Sequence, residues 1–159
     1  MTVTEILATG PDLVKIGLRG IEPVIEEIIM EANQEIQLLV YVFTPKAIHL
    51  LKLLEHSLER GIDVTIVINS LSKQNETIKT ELNLLKSKYD HLKIINLFEA
   101  ENHYLHAKLV VVDRKKAVVG SANFTWGGMY GNYEVGLLVE GEQVWKLAEI
   151  HTVIQRLLR

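Results

Sequence analysis

A histidine and a lysine separated by one residue, His106 and Lys108, form the most chemically informative pair in the sequence. On an extended strand alternate side chains point to the same face, so the pattern predicts that the imidazole and the ammonium project together. A fixed ammonium neutralises a bound anion, and an imidazole near neutral pH can attack phosphorus or move a proton. The pair therefore indicates a site for a phosphate group.

The segment Gly120-Ser121-Ala122-Asn123 offers uncharged hydrogen-bond donors for the same site. A short polar turn at 113–116 separates two apolar runs, so a hairpin would return this segment to the end of the His106 strand. The hydroxyl of Ser121 and the amide of Asn123 could then donate to phosphoryl oxygens.

Three residues outside that segment are further candidates. Glu134, on the following predicted strand, could accept a hydrogen bond from the His106 ring nitrogen that faces away from substrate and so fix its tautomer. Trp126 lies beside a glycine-rich loop, where it could stack on a base or pack in the core. His103 precedes His106 by an odd spacing, which predicts a structural role on the opposite strand face.

Helices and strands alternate early in the chain, and strands pair locally later. Helical spacing of apolar residues predicts helices at 21–32, 47–58, 72–88 and 143–158. Apolar and β-branched runs predict strands at 36–43, 63–68, 92–97, 105–112, 117–119 and 134–139. Residues 1–20 stay unassigned apart from a turn at 9–12. This order predicts an α/β fold, a mixed β-sheet flanked by helices on both faces, in one domain over residues 21–159.

Composition narrows the class of protein. The absence of cysteine among 159 residues excludes a Cys nucleophile and thiolate metal sites. A net charge of −3 argues against coating of nucleic acid by general electrostatics, although Asp113 is the only carboxylate between residues 102 and 133. No apolar run approaches the roughly 20 residues of a bilayer span, and residues 1–20 lack a signal-peptide layout. We therefore expect a cytoplasmic protein without stable membrane insertion.

The pattern His106-x-Lys108-x4-Asp113-x6-Gly120-Ser121-x-Asn123 resembles the HKD motif of the phospholipase D superfamily. Glu134 matches the downstream glutamate of that family, and the resemblance extends over about residues 21–140, including Tyr41-Val42-Phe43-Thr44. It implies the phospholipase D-like fold. It also implies a site made from two such motifs related by a two-fold axis, and because this chain has one motif, it implies a homodimer.

In such a site, the resemblance implies, one His106 attacks the phosphodiester and forms a phosphohistidine, while the second protonates the leaving oxygen and then activates water. Lys108 and Asn123 would hold the phosphate oxygens, and Asp113, counted among the catalytic residues, would orient other groups rather than react. The scheme requires no metal or other cofactor. In agreement, the segment from His106 to Asn123 has only one carboxylate, whereas a two-metal nuclease needs several.

Three functions fit these residues. The first is a metal-independent endonuclease cutting DNA or RNA, since short single-motif members of the family resemble nucleases more than lipases. The second is a lipid phosphodiesterase or phosphatidyltransferase. The third is an accessory or binding subunit of a nucleic-acid-processing or phage-defence complex, to whose single-motif subunits the lead-in Ala8-Thr9-Gly10-Pro11 is faintly similar.

Overall fold

The computed structural model describes residues 1–97 and 104–157, and it arranges their strands in one mixed sheet. The strands are β1 Thr2–Thr9, β2 Arg19–Gly20, β3 Glu35–Val40, β4 Asp63–Asn69, β5 Leu92–Leu97, β6 Leu109–Val112, β7 Lys116–Gly120 and β8 Glu134–Glu140. The α-helices are α1 Pro11–Lys15, α2 Ile21–Met30, α3 Ile48–Glu59, α4 Glu76–Lys88 and α5 Trp145–Leu157. The order of strands across the sheet is β2-β1-β8-β7-β6-β3-β4-β5.

The two halves of the sheet differ in strand direction, as the sequence pattern predicted. Strands β3, β4 and β5 run parallel, and α3 and α4 make the crossovers that parallel neighbours require. Strands β6, β7, β8 and β1 are antiparallel neighbours, and β6 also pairs antiparallel with β3. The carboxyl end of β3 therefore lies next to the start of β6, which directly follows the motif histidine and lysine.

Helices cover both faces of the sheet, which confirms the predicted α/β class. On one face α2, α3 and α4 bury their apolar sides against residues such as Ile36, Leu38 and Val40 of β3. On the other face α5 packs through Ala148 against residues such as Leu39 and Val111. Among the described residues no helix is long and apolar enough to cross a lipid bilayer.

Residues Thr2–Thr9, which the pattern left unassigned apart from Thr9 in the predicted turn, form part of the same sheet. Strand β1 pairs with β8 from Thr2 opposite Glu140 to Thr9 opposite Glu134. The register shifts between Val3 and Glu5, which obscures the period-two alternation that identifies a strand in sequence.

The strand predicted at 105–112 begins only at Leu109. The reason lies in its neighbour, because β3 ends at Val40 and its ladder with β6 stops at the pair Leu39–Leu109. Residues 104–108 have no regular structure, and the backbone amide of Leu105 donates to Oδ1 of Asn69 at 3.0 Å instead. The prediction that His106 and Lys108 project to one face because they lie on a strand is therefore wrong. The contact between them, described below, has another cause.

Candidate active site

His106 and Lys108 contact each other directly. The Lys108 ammonium lies 2.9 Å from Nδ1 and 3.2 Å from Nε2 of His106, and it donates to the His106 carbonyl oxygen at 2.7 Å. An ammonium has donors and no acceptor, so the ring nitrogen that it bonds must offer a lone pair. A ring nitrogen that carries a lone pair can act as a nucleophile once that lone pair is released from the hydrogen bond.

Tyr41, one residue beyond the end of β3, lies against both members of the pair. Its ring centroid is 4.7 Å from that of His106, and the Lys108 ammonium is 5.4 Å from the Tyr41 centroid. The sequence interpretation gave Tyr41 no role. The signal that could have found it is topological, because the end of β3 adjoins the start of β6.

The Lys108 ammonium is partly removed from water. Burial lowers the pKa of Lys108, and the negative charge of Glu134 opposes that shift. The lysine therefore lies within the field of the glutamate that the sequence interpretation assigned to His106.

Glu134 contacts Ser121 and Asn132, and the described hydrogen bonds do not join it to His106. The Ser121 hydroxyl donates to one carboxylate oxygen of Glu134, and the Asn132 amide donates to the other at 3.2 Å. The cause is the register of β7 and β8, which sets Gly120 opposite Gly136 and brings Ser121 beside Glu134. The predicted contact of Glu134 with His106 is therefore absent from this arrangement. The Ser121 hydroxyl has one proton, and because it donates this proton to Glu134, it does not offer it to a phosphate.

Gly120 allows this close approach of β7 to β8. A Cβ at residue 120 would lie 2.7 Å from the carbonyl oxygen of Val135, nearer than real Cβ atoms come to such a neighbour. The glycine that precedes Ser121 in the motif is thus required by packing.

Asn123 lies in the loop that follows β7, and this loop is tied to the end of β3. The Thr44 amide donates to the Phe124 carbonyl oxygen at 3.0 Å, and the rings of Phe43 and Phe124 stack with centroids 5.3 Å apart. The Asn123 side-chain oxygen is buried without a hydrogen-bond partner. An orphaned buried amide oxygen is unusual in a protein interior and calls for a specific explanation.

A cavity of about 360 Å³ brings four of these residues together. His106, Lys108, Gly120 and Ser121 line it together with Leu147 and Ile150 of α5. The sequence prediction that the His106–Lys108 segment and the start of the Gly120–Asn123 segment meet is thus confirmed by the geometry.

Residues 25–157 match the sequence profile of a family described as cardiolipin synthase, PLD-like domain. The chain belongs to this PLD-like family. The match covers most of the sequence and includes the whole motif. It confirms the resemblance to the phospholipase D superfamily.

The chain is also similar to an individual bacterial protein. The chain is 30% identical over 142 residues to the DISARM protein DrmC of Bacillus paralicheniformis, covering 88% of this chain and 58% of that relative. The chain thus spans less than two thirds of that relative's length.

Two solved structures share the fold. NucT from Helicobacter pylori matches with a TM-score of 0.70 and 23% identity, covering 97% of this chain and 96% of that one. The phospholipase D family member Nuc from Salmonella typhimurium matches with a TM-score of 0.68 and 24% identity, covering 95% and 91%. Both are similar to this PLD-like chain over almost their whole length.

Asp113 of the PLD-like motif does not reach the His106 cavity. It follows β6, with the whole strand between it and Lys108, and its carboxylate accepts from the backbone amides of Asn33, Gln34 and Glu35 at 2.9, 2.8 and 3.0 Å. Its inclusion among the catalytic residues is therefore not supported by the structure. The carboxylate fastens the β6–β7 hairpin to the start of β3.

The cations of the 113–116 turn lie at that same end of β6. Arg114 pairs with Glu35 and Glu149, and Lys116 pairs with Glu31 and Glu140. These charges neutralise acidic neighbours, so they do not extend the phosphate site.

Trp126 is 56% exposed, which excludes the core-packing alternative. It precedes the π-helical turn Gly127–Gly131, and its ring lies over Gly131, where a Cβ would be 2.2 Å from it. His103 lies outside the described residues. Among the described residues no group of three His, Asp or Glu ligands occurs at the His106 cavity.

Proposed function

We propose that the protein is a phosphodiesterase that cleaves nucleic acid through a phosphohistidine, without a metal ion in the reaction. The observation that carries this proposal is the direct contact of the Lys108 ammonium with the His106 imidazole. A nitrogen with a lone pair and a cation for the phosphate then lie within one small space.

The reaction proceeds in two displacements. A His106 ring nitrogen attacks phosphorus, a P–N bond forms, and the P–O bond to the leaving group breaks. A second imidazole gives its proton to the leaving oxygen and then removes a proton from water. The resulting hydroxide attacks phosphorus and breaks the P–N bond, which returns both histidines to their starting states and leaves a phosphate monoester.

The second imidazole would come from His106 of the partner subunit. An apolar surface supports this dimer: Ile6 of β1 is the register partner of Leu137 of β8, and both are exposed on the sheet face that α5 covers only in part. Ile150 and Val153 of α5 are exposed as well. Ile150 also lines the His106 cavity, so a partner seated on this surface would bring two cavities together.

Exposed aromatic rings favour a nucleic acid substrate. Tyr104 lies two residues before His106, Trp126 follows Asn123 by three, and Tyr133 is next to Glu134. Aromatic faces beside a phosphate site suit stacking on the bases of a single strand.

A lipid phosphodiester is the second candidate substrate. The family profile is described as cardiolipin synthase, PLD-like domain, and the His106 cavity has an apolar lining that could accept an acyl chain. That lining consists of Leu39, Leu109, Val119, Leu147 and Ile150.

One assay separates the two substrates. Wild-type protein and the His106→Ala variant are incubated in EDTA with a labelled oligonucleotide and, separately, with phosphatidylcholine vesicles. We expect cleavage of the oligonucleotide by wild type alone. Cleavage of the lipid alone would replace the nucleic acid proposal, and activity that returns only with Mg²⁺ would overturn the metal-free mechanism.

A further inference from the structure

Two glutamates and a histidine converge between α2 and α3. Glu22 and Glu26 lie one turn apart on α2, and His49 lies in the first turn of α3. One potential ligand atom from each of them lies within 4.8 Å of the others. None of the three lines the His106 cavity.

The cluster carries more negative charge than its protein neighbours neutralise. The Glu22 side chain is only 7% exposed, and the described ion pairs join Glu22 and Glu26 to His49 alone. Nε2 of His49 carries at most one proton, so it can neutralise at most one of the two carboxylates. A buried carboxylate without a neutralising partner is costly, and a bound cation removes that cost.

The histidine nitrogen faces both carboxylates. Nε2 of His49 contacts Oε1 of Glu22 and lies 3.3 Å from Oε1 of Glu26. The nitrogen is shielded from solvent, yet its geometry with neither carboxylate is that of a hydrogen bond. A solvent-shielded nitrogen that lies close to two carboxylates and is hydrogen-bonded to neither is the arrangement expected of a ligand set for a cation.

We propose that Glu22, Glu26 and His49 bind one zinc ion, with water completing its coordination. Zinc bound by nitrogen and oxygen at about 2.0–2.1 Å in tetrahedral geometry places its ligand atoms roughly 3.4 Å apart, within the span of this cluster. The imidazole favours zinc over magnesium or calcium, which prefer oxygen ligands alone.

Tyr130 would hold the zinc ligand Glu22 in place. Its hydroxyl donates to Oε1 of Glu22, which leaves the second carboxylate oxygen for the metal. Burial, followed by the hydrogen bond to Glu22, raises the pKa of Tyr130 to about 12. Tyr130 belongs to the turn Gly127–Gly131, so the zinc site would join α2 and α3 to the loop after the PLD-like motif.

The test is a titration of the full chain with zinc chloride alone. Protein treated with EDTA and then freed of it is followed by isothermal titration calorimetry and thermal unfolding. We expect one zinc per chain and a higher Tm with zinc. Glu26→Gln and His49→Asn, at partly exposed positions, should each lower the affinity at least about tenfold.

His56→Asn is the matched control. His56 lies on the same helix and also pairs with a carboxylate, that of Glu59 at 3.7 Å, but at the exposed surface. It should bind zinc as wild type does. Absence of zinc binding by wild type would overturn the proposal and leave the cluster as a polar contact between helices. Equal losses in His49→Asn and His56→Asn, or preference for Mg²⁺, would also overturn the proposal. The readouts are binding and Tm, so the result is independent of the phosphodiesterase proposal.

Discussion

The Lys108 ammonium lies 2.9 Å from Nδ1 and 3.2 Å from Nε2 of His106, with the Tyr41 ring against both residues. In this arrangement the lysine donates to the histidine itself. A phosphate entering the cavity would compete for the same ammonium protons, since Lys108 has three donors and no acceptor. Arrival of substrate would thus draw the lysine toward phosphate oxygens and leave the imidazole free to attack.

His106→Ala and His106→Asn should abolish turnover on the best phosphodiester found. The side chain is exposed, so both variants should keep the wild-type circular dichroism spectrum and a Tm close to that of wild type. The measurement is single-turnover cleavage, with the exposed His56→Ala as control. Wild-type turnover in either His106 variant would contradict the nucleophile assignment.

Deprotonation of Lys108 should make kcat/KM fall at alkaline pH. Because burial lowers its pKa, the midpoint should lie below the ordinary lysine value of 10.5. Glu134 raises this pKa, so Glu134→Gln should move the midpoint to still lower pH. Lys108→Arg should remove this limb, since arginine keeps its charge. A midpoint that Glu134→Gln leaves unchanged or raises would show that another group titrates.

The lowered pKa of Lys108 should make the folded protein more stable as pH rises, over the range in which kcat/KM falls. The charged lysine is disfavoured in the folded protein, so its cost is fully present below the lowered folded pKa. The cost is relieved as pH rises from that pKa toward 10.5. Relative to Lys108→Met, which cannot titrate, wild type should gain stability over this window in urea unfolding measured at several pH values. A relative loss of stability there would refute the lowered pKa.

Asp113→Ala should weaken the fold and leave the chemical step intact. It removes a carboxylate that accepts from three backbone amides, which we expect to cost about 2 kcal/mol of unfolding free energy. Urea unfolding should show a lower midpoint with unchanged slope, while the exposed Asp90→Ala serves as control. A large loss of single-turnover rate in fully folded Asp113→Ala would restore Asp113 to the catalytic residues.

Gly128→Ala should displace Asn123. A Cβ at residue 128 would lie 2.1 Å from the Asn123 carbonyl oxygen, whereas one at Gly136 would meet the Ile21 side chain at 3.4 Å and the Val119 carbonyl oxygen at 3.5 Å. We expect a loss of kcat on the order of 10²-fold for Gly128→Ala and a small change for Gly136→Ala. Equal rates in the two variants would show that Asn123 takes no part in the reaction.

Much of the fold followed from local pattern, because a buried face imposes a period on the sequence. The strand at 92–97 and the helix from Ile21 begin where we predicted. The predicted approach of the His106–Lys108 segment to the start of the Gly120–Asn123 segment is also confirmed. Strand β1 escaped detection because its register shift breaks the alternation.

The site residues that were misplaced depend on contacts distant in sequence. Asp113 bonds amides 78 to 80 residues earlier in the chain, which no spacing within the motif reveals. The assignment of Glu134 to His106 ignored the competing hydroxyl of Ser121, which the β7–β8 register places beside it. Tyr41 required knowledge that β3 neighbours β6.

The most direct test of a nucleophilic His106 in a shared site is the stoichiometry of a trapped intermediate. Protein is mixed with a phosphodiester whose retained phosphate is radiolabelled, quenched at alkaline pH within one turnover, and analysed by peptide mapping. We predict an acid-labile label on His106, at no more than one label per two chains, and none in His106→Asn. A label on another residue, or one label on every chain of a monomer, would contradict it.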